Sequence, residues 1–138
     1  MAKNLDSKCK LCRRAGEKLF LKGDRCSTPK CAIVRKPYAP GMHGGVKKYQ
    51  KGLSEFGKQL AEKQKIKRIY GVSEKQFKRH LVDATKQEGV AGDNLINRLE
   101  MRFDNIIFRL GWASSRAQAR QLVSHTLPFL LRGHSHIT

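Results

Sequence analysis

Every cysteine of the chain lies between Cys9 and Cys31, arranged as C-K-L-C, thirteen further residues, then C-S-T-P-K-C. Two tight pairs of thiols joined by a span long enough to fold back match the ligand count of a closed tetrahedral zinc site. Cys9 and Cys12 can face one ion from the first turn of a helix, and Cys26 and Cys31 from a loop shaped by Pro29. Two disulfides are the alternative. No apolar leader precedes the cysteines, however, and a reducing compartment keeps such thiols free. Four thiolates fill a tetrahedral shell, so the expected metal is structural rather than catalytic.

A lobe stapled in this way needs little apolar burial, and the rest of the sequence offers little near it. The 138 residues carry 29 Lys plus Arg against 11 Asp plus Glu, a formal net charge of +18. Such an excess repels itself unless a polyanion neutralises it, which points to nucleic acid. A membrane-surface protein would gather its cations opposite one apolar helix face; here they are spread along the chain. No apolar run approaches the roughly 20 residues that cross a bilayer, and a soluble protein is expected. The charge is graded. Residues 1–52 hold 14 basic and 3 acidic side chains, residues 53–87 hold 9 and 4, and residues 88–138 hold 6 and 4. Polyanion contact should therefore be densest at the N-terminus.

Ser7 is placed to cap a helix carrying Cys9, Cys12, Arg13 and Arg14. The run Leu19, Phe20, Leu21, next to Lys22, should pack over the metal lobe. From Ala32 to Gly52 the many Gly and Pro residues predict an extended loop. It bears Arg35, Lys36, Tyr38, His43, Lys47, Lys48, Tyr49 and Lys51, and cations interleaved with rings suit phosphate contact and stacking on unpaired bases. A disordered basic linker has the same composition.

Periodicity predicts a helix from Leu53 to Tyr70, capped by Ser54 and stopped by Gly71, with Leu53, Phe56, Leu60 and Ile69 on its apolar face. Lys63, Lys65, Lys67 and Arg68 lie on the other face, toward phosphate. Ser73 and Gln76 form a capping box for a helix from Glu74 to about Gln87, presenting Phe77, Leu81 and Ala84. The two helices are expected to pair antiparallel. Glu88–Gly92 reads as a domain boundary. Asp93 then caps one or two helices ending at Gly111, and Ser115 with Gln118 caps another over Arg116 to Ser124, with apolar face Ala119, Leu122 and Val123. Arg116 and Arg120, one turn apart, are expected on its exposed side, gripping phosphate with Ser114 and Ser115. Pro128 should end any continuing helix. His134 and His136 have a metal-friendly spacing, but at a terminus they read as solvated.

The cysteine array, R-K-P-Y-A-P-G-M-H-G, E-K-Q-K-I-K-R-I-Y-G-V-S-E-K-Q-F and R-L-E-M-R-F-D-N-I-I-F-R-L-G-W-A-S-S-R-A-Q-A-R-Q-L-V-S-H resemble, in unbroken order over about residues 3–125, the bacterial form of the ribosomal small-subunit protein four family. The resemblance implies a cytoplasmic, ribosomal, non-enzymatic protein. It implies binding to the 5′ domain of small-subunit (16S-type) ribosomal RNA and early assembly among neighbouring small-subunit proteins. It also implies a place near the channel by which mRNA enters, affecting translational accuracy. It assigns Zn2+ to Cys9, Cys12, Cys26 and Cys31, and an RNA-binding module from about Asn97. Lys22 and Arg109 join the cations named above as RNA contacts.

The family continues after the positions of Ser124 and His125 with G-H-I-x-V-N-G and a strand-rich half-module; here Thr126 begins an unrelated run. The expected fold is mainly α: a zinc-stabilised lobe with a basic loop (1–52), a helical pair (53–92), and the helical half of a small α+β RNA-binding module (93–138), its strand half missing or replaced after residue 125. Leu99, Phe103, Ile107, Leu122 and Val123 should then be left exposed. The alternative function is a truncated or divergent paralogue regulating RNA outside the ribosome. An RNA-modifying enzyme would need convergent acids and bases, whereas Asp83, Asp93, Glu100 and Asp104 fall at caps or beside arginines.

Overall fold

A computed structural model describes residues 7–44 and 54–133, the segment 126–133 as backbone. Among these residues there are seven α-helices and no strand: α1 (Lys8–Ala15), α2 (Ala32–Arg35), α3 (Glu55–Tyr70), α4 (Glu74–Thr85), α5 (Ala91–Glu100), α6 (Phe103–Arg109) and α7 (Arg116–Gly133). The expectations for Lys47, Lys48, Tyr49, Lys51, Leu53, His134 and His136 lie outside the described residues, as do those for the side chains after His125.

The chain forms two compact units, Met1–Glu74 and Lys75–Thr138. The division falls within the expected helical pair, so α3 belongs to the first unit and nearly all of α4 to the second. Of the stretch Glu88–Gly92, read as a boundary, Glu88, Gly89 and Val90 lie between α4 and α5, and Ala91 and Gly92 begin α5, all within the second unit. There the Asn94 amide donates to the Ala84 carbonyl (3.5 Å) in the last turn of α4 and to the carbonyls of Gln87 (3.4 Å) and Glu88 (3.1 Å) in the connection that follows.

In the first unit α1 packs against α2 and α3. The buried set is small: Cys12, Leu19, Cys26, Cys31, Tyr70 and Val72. A core this thin is what a metal staple supplements. Within the expected loop, Ala32–Arg35 closes one helical turn. Of the apolar run, Leu19 is buried while Phe20 is half exposed and holds φ at 48°, a left-handed conformation that strains a side chain with a Cβ. Ser54 caps α3 by accepting from the Gly57 N–H at 3.2 Å. Gly71, in the left-handed region, ends it in a Schellman turn, with the Val72 N–H on the Lys67 carbonyl at 3.1 Å. The apolar face assigned to α3 is covered only toward its C-terminal end: Phe56 is 74% exposed and Leu60 42%, whereas Ile69 is half-buried.

The second unit is organised by α6 and α7. Ile107, Ala113 and Ala119 form its centre, Phe108 and Val123 pack on them, and Leu99 and Asn105 are fully enclosed. Leu99 and Ile107 are therefore covered, contrary to expectation, whereas Phe103 and Leu122 remain exposed. Leu81 on α4 is exposed, unlike Phe77 and Ala84. Helix α5 begins earlier than predicted, with Val90 rather than Asp93 at its N-cap. Gly111 repeats the Schellman turn, the Trp112 N–H reaching the Ile107 carbonyl at 3.2 Å. Helix α7 runs through Pro128 to Gly133 instead of stopping. Proline removes one N–H donor there without ending the helix.

Candidate nucleic-acid interface

Helix α1 carries Lys10 and Arg14 one turn apart, and α3 carries Gln64, Lys67 and Arg68. Together with Leu11, Pro40 and Gly41 these residues line a groove of about 490 Å3 on the first unit. Among the described residues no carboxylate forms an ion pair with Lys10, Arg14 or Arg68; Lys10 and Arg14 are exposed and Arg68 is half-buried. The rest of the α3 basic face is largely neutralised from within. Glu74 pairs with Lys63 and with Lys67 (2.7 Å), and Lys65 reaches Glu17 at 2.6 Å. Hydrogen bonds from Lys63 and then Lys67 hold the Glu74 carboxyl down to about 2. The Glu17 hydrogen bond pushes the Lys65 ammonium up. Of the lysines and arginine predicted to contact phosphate on this helix, Arg68 alone is without such an internal partner among the described residues.

Arg13, also predicted as a phosphate contact, is turned onto the chain itself. Its Nε donates to the carbonyls of Lys36 (3.1 Å) and Tyr38 (2.9 Å), its Nη2 donates to that of Ala39 (3.3 Å), and its guanidinium lies 4.7 Å from the centre of the Tyr38 ring. Lys22, Arg35, Lys36 and His43 are exposed. Lys10 and Gln64 were absent from the predicted set. The spacing of Lys10 four residues before Arg14 is a signal that could have found it; Gln64 has none.

In the second unit the residues expected to grip phosphate are engaged within the chain. Arg116 Nε donates to Asn105 Oδ1 at 2.8 Å and its guanidinium lies 4.5 Å from the Phe108 ring centre. Arg120 is bound to Asp104 at 2.6 Å, and Arg109 to Glu100 at 2.8 Å. Ser115 is buried and accepts from the Gln118 N–H, while Ser114 donates to the Gln118 side chain at 2.7 Å. Arg116 and Arg120 help assemble the unit because the buried Asn105 amide and Asp104 carboxylate draw them inward, whereas Arg109 and Ser114 make their contacts at its surface.

The four cysteines are free thiols, three buried and Cys9 half-buried, and all line one small cavity with Leu21, Lys22, Ala32 and Ile33. The Lys22 N–H points at Cys26 Sγ, 3.4 Å away. Burial pushes the Cys12 thiol up; a backbone hydrogen bond at Leu19 opposes this, and Cys26, Cys9 and Cys31 add to it. Among the described residues no group of three or more His, Cys, Asp or Glu side chains is drawn together tightly enough to chelate. The chemistry of the donor set nevertheless fits a soft divalent ion: four thiols on one cavity, no carboxylate lining it, and an amide N–H aimed at a sulfur.

Fold and exposed charge place the chain among small, strongly basic, mainly helical proteins. Residues 3–100 match the family described as Ribosomal protein S4/S9 N-terminal domain, and residues 101–127 match the S4 domain. The chain is 57% identical to small ribosomal subunit protein uS4 of Lawsonia intracellularis, over 97% of its own length and 62% of the relative. It is 59% identical to uS4 of Caldicellulosiruptor bescii, over 91% and 59%. It is 57% identical to uS4A of Clostridium perfringens, over 96% and 63%. The chain belongs to the S4 family of ribosomal proteins. It spans about three fifths of the length of these relatives. Among the described residues no helix is long and apolar enough to cross a membrane.

Proposed function

We propose that the chain is a non-enzymatic constituent of the small ribosomal subunit in the cytoplasm. It binds the 5′ domain of small-subunit ribosomal RNA early in assembly and sits beside neighbouring small-subunit proteins. Its place is near the channel by which mRNA enters, where it affects decoding accuracy. The observation that carries this reading is the groove within the residues that match the S4/S9 N-terminal domain: Lys10, Arg14 and Arg68 offer charge there that no described carboxylate neutralises. A non-enzymatic role agrees with the acids Asp83, Glu100 and Asp104, each tied to arginine instead of converging on a substrate-sized space.

Zn2+ held by Cys9, Cys12, Cys26 and Cys31 belongs to the same proposal. These four thiols would hold the ion, which would there supply a structural cross-link among the segments that carry them. Leu19, Leu21 and Ile33 keep that region apolar, and α1 carries both metal-binding thiols and groove cations.

The test is filter binding of 5′-domain RNA across a salt series. Affinity should fall steeply with salt, because each neutralised phosphate releases about 0.9 counterion for duplex and about 0.7 for single strands. Neutralising Lys10, Arg14 and Arg68 together should lower the slope of log affinity against log salt by about two to three. An unchanged slope refutes the groove as the contact.

A further inference from the structure

Arg13 lies one residue from the groove cation Arg14, yet its guanidinium is spent on three loop carbonyls, those of Lys36, Tyr38 and Ala39, and one ring. The last acceptor, the Ala39 carbonyl, immediately precedes Pro40 and Gly41, which line the groove together with the α1 and α3 residues. An arginine fork suits several carbonyls in one plane and stacks on an aromatic face; a lysine ammonium keeps the charge but offers neither feature. Among the described residues the loop has few other hydrogen bonds. Between Pro37 and Gly44 the one backbone hydrogen bond among the described residues joins the Gly44 N–H to the Gly41 carbonyl.

We propose that Arg13 is a positioning residue of the RNA groove: it holds the Lys36–Gly41 loop against α1 and so sets the part of the groove that Pro40 and Gly41 line together with Arg14 and Arg68. This rests on the groove being the RNA contact, and the experiment separates the two ideas. Arg13→Lys and Arg14→Ala are prepared in the full chain, and backbone 15N order parameters of Tyr38, Ala39 and Gly41 are recorded without RNA. Binding of 5′-domain RNA is then measured at several salt concentrations. With Arg13→Lys the order parameters should drop from the rigid range, about 0.85, to below about 0.6. RNA affinity should fall about tenfold although no charge is lost. With Arg14→Ala the loop should stay rigid and the salt slope should fall by about one. Arg13→Ala, which should loosen the loop at least as much, guards against a lysine that partly replaces the fork.

A loop that stays rigid in both Arg13 variants overturns the proposal, as does a loosened loop with RNA affinity unchanged. If the unaltered chain binds no RNA, the functional reading fails along with the groove role. The order parameters then still decide whether Arg13 holds the loop.

Discussion

Asp104, in the first turn of α6, holds Arg120 of α7: its Oδ2 accepts from Arg120 Nε at 2.8 Å and from Nη2 at 2.6 Å. Arg102 closes on the same carboxylate from the other side, at 3.1 and 3.0 Å. One nearly buried anion therefore joins the α5–α6 corner to α7. Burial alone would raise its pKa, but the hydrogen bonds from Arg102 and Arg120 outweigh this and hold it below the usual carboxylate value.

Asp104→Asn should consequently destabilise the second unit by about 3 kcal/mol, the scale of breaking a buried pair and leaving its partner charge uncompensated. Urea unfolding followed by circular dichroism checks this. A double variant that also replaces Arg120 with Met should recover part of the loss. A wild-type midpoint in Asp104→Asn would mean that the pair contributes nothing.

Acid should loosen the two units in separate steps. His80 is pushed below its ordinary 6.5 by burial first, then by Arg102 and Arg98, with Arg79 adding and Asp83 opposing. Its folded form is neutral, so that contribution is present above pH 6.5 and is lost as pH falls through the lowered value. Glu74, held near 2 against an ordinary 4.5, stabilises the first unit fully above pH 4.5 and loses this as pH falls toward 2. Amide signals from α4–α7 should broaden before those of α3, and Glu74→Gln should remove the lower step alone.

Two glycines should respond with opposite signs. A Cβ on Gly44 would overlap the Ala39 carbonyl that Arg13 also binds, so Gly44→Ala should displace the loop, cost about 1–3 kcal/mol and weaken RNA binding. A Cβ on Gly92, inside α5, meets nothing, and Gly92→Ala should stabilise the second unit by about 0.5–1 kcal/mol. Thermal melts of both variants decide the matter, and equal shifts would contradict the assignment.

Metal removal should act on one unit only. Elemental analysis should find one zinc per chain, and Cys26→Ser should lose it. Chelation should make residues 1–44 susceptible to trypsin, because Leu19, Tyr70 and Val72, the buried apolar side chains described in that unit besides its cysteines, are too few to hold the lobe unaided. Continued protease resistance after chelation would refute the structural role.

Helix ends were largely legible in the residues. Ser54, Gly71, Gly111 and Ser115 act on backbone groups within five positions of themselves, and such local chemistry survives in a linear reading. Pro128 was misread because a single missing donor within α7 does not outweigh the turns on either side of it. The apolar period of α3 was real, but a period says which residues share a face and not whether another element covers it. Phe56 and Leu60 show the difference.

Charge and cysteine spacing, with four motifs in unbroken order, were enough to reach the family, since these are properties of the chain taken residue by residue. What each arginine does was decided only by the folded structure. Arg13 finds its acceptors 23 to 26 residues away, Arg116 meets Asn105 across 11, and Arg120 meets Asp104 across 16. An exposed cation and one turned inward onto a carbonyl or carboxylate look alike in sequence. The partner that captures the guanidinium is brought near it by packing, which has no local signature.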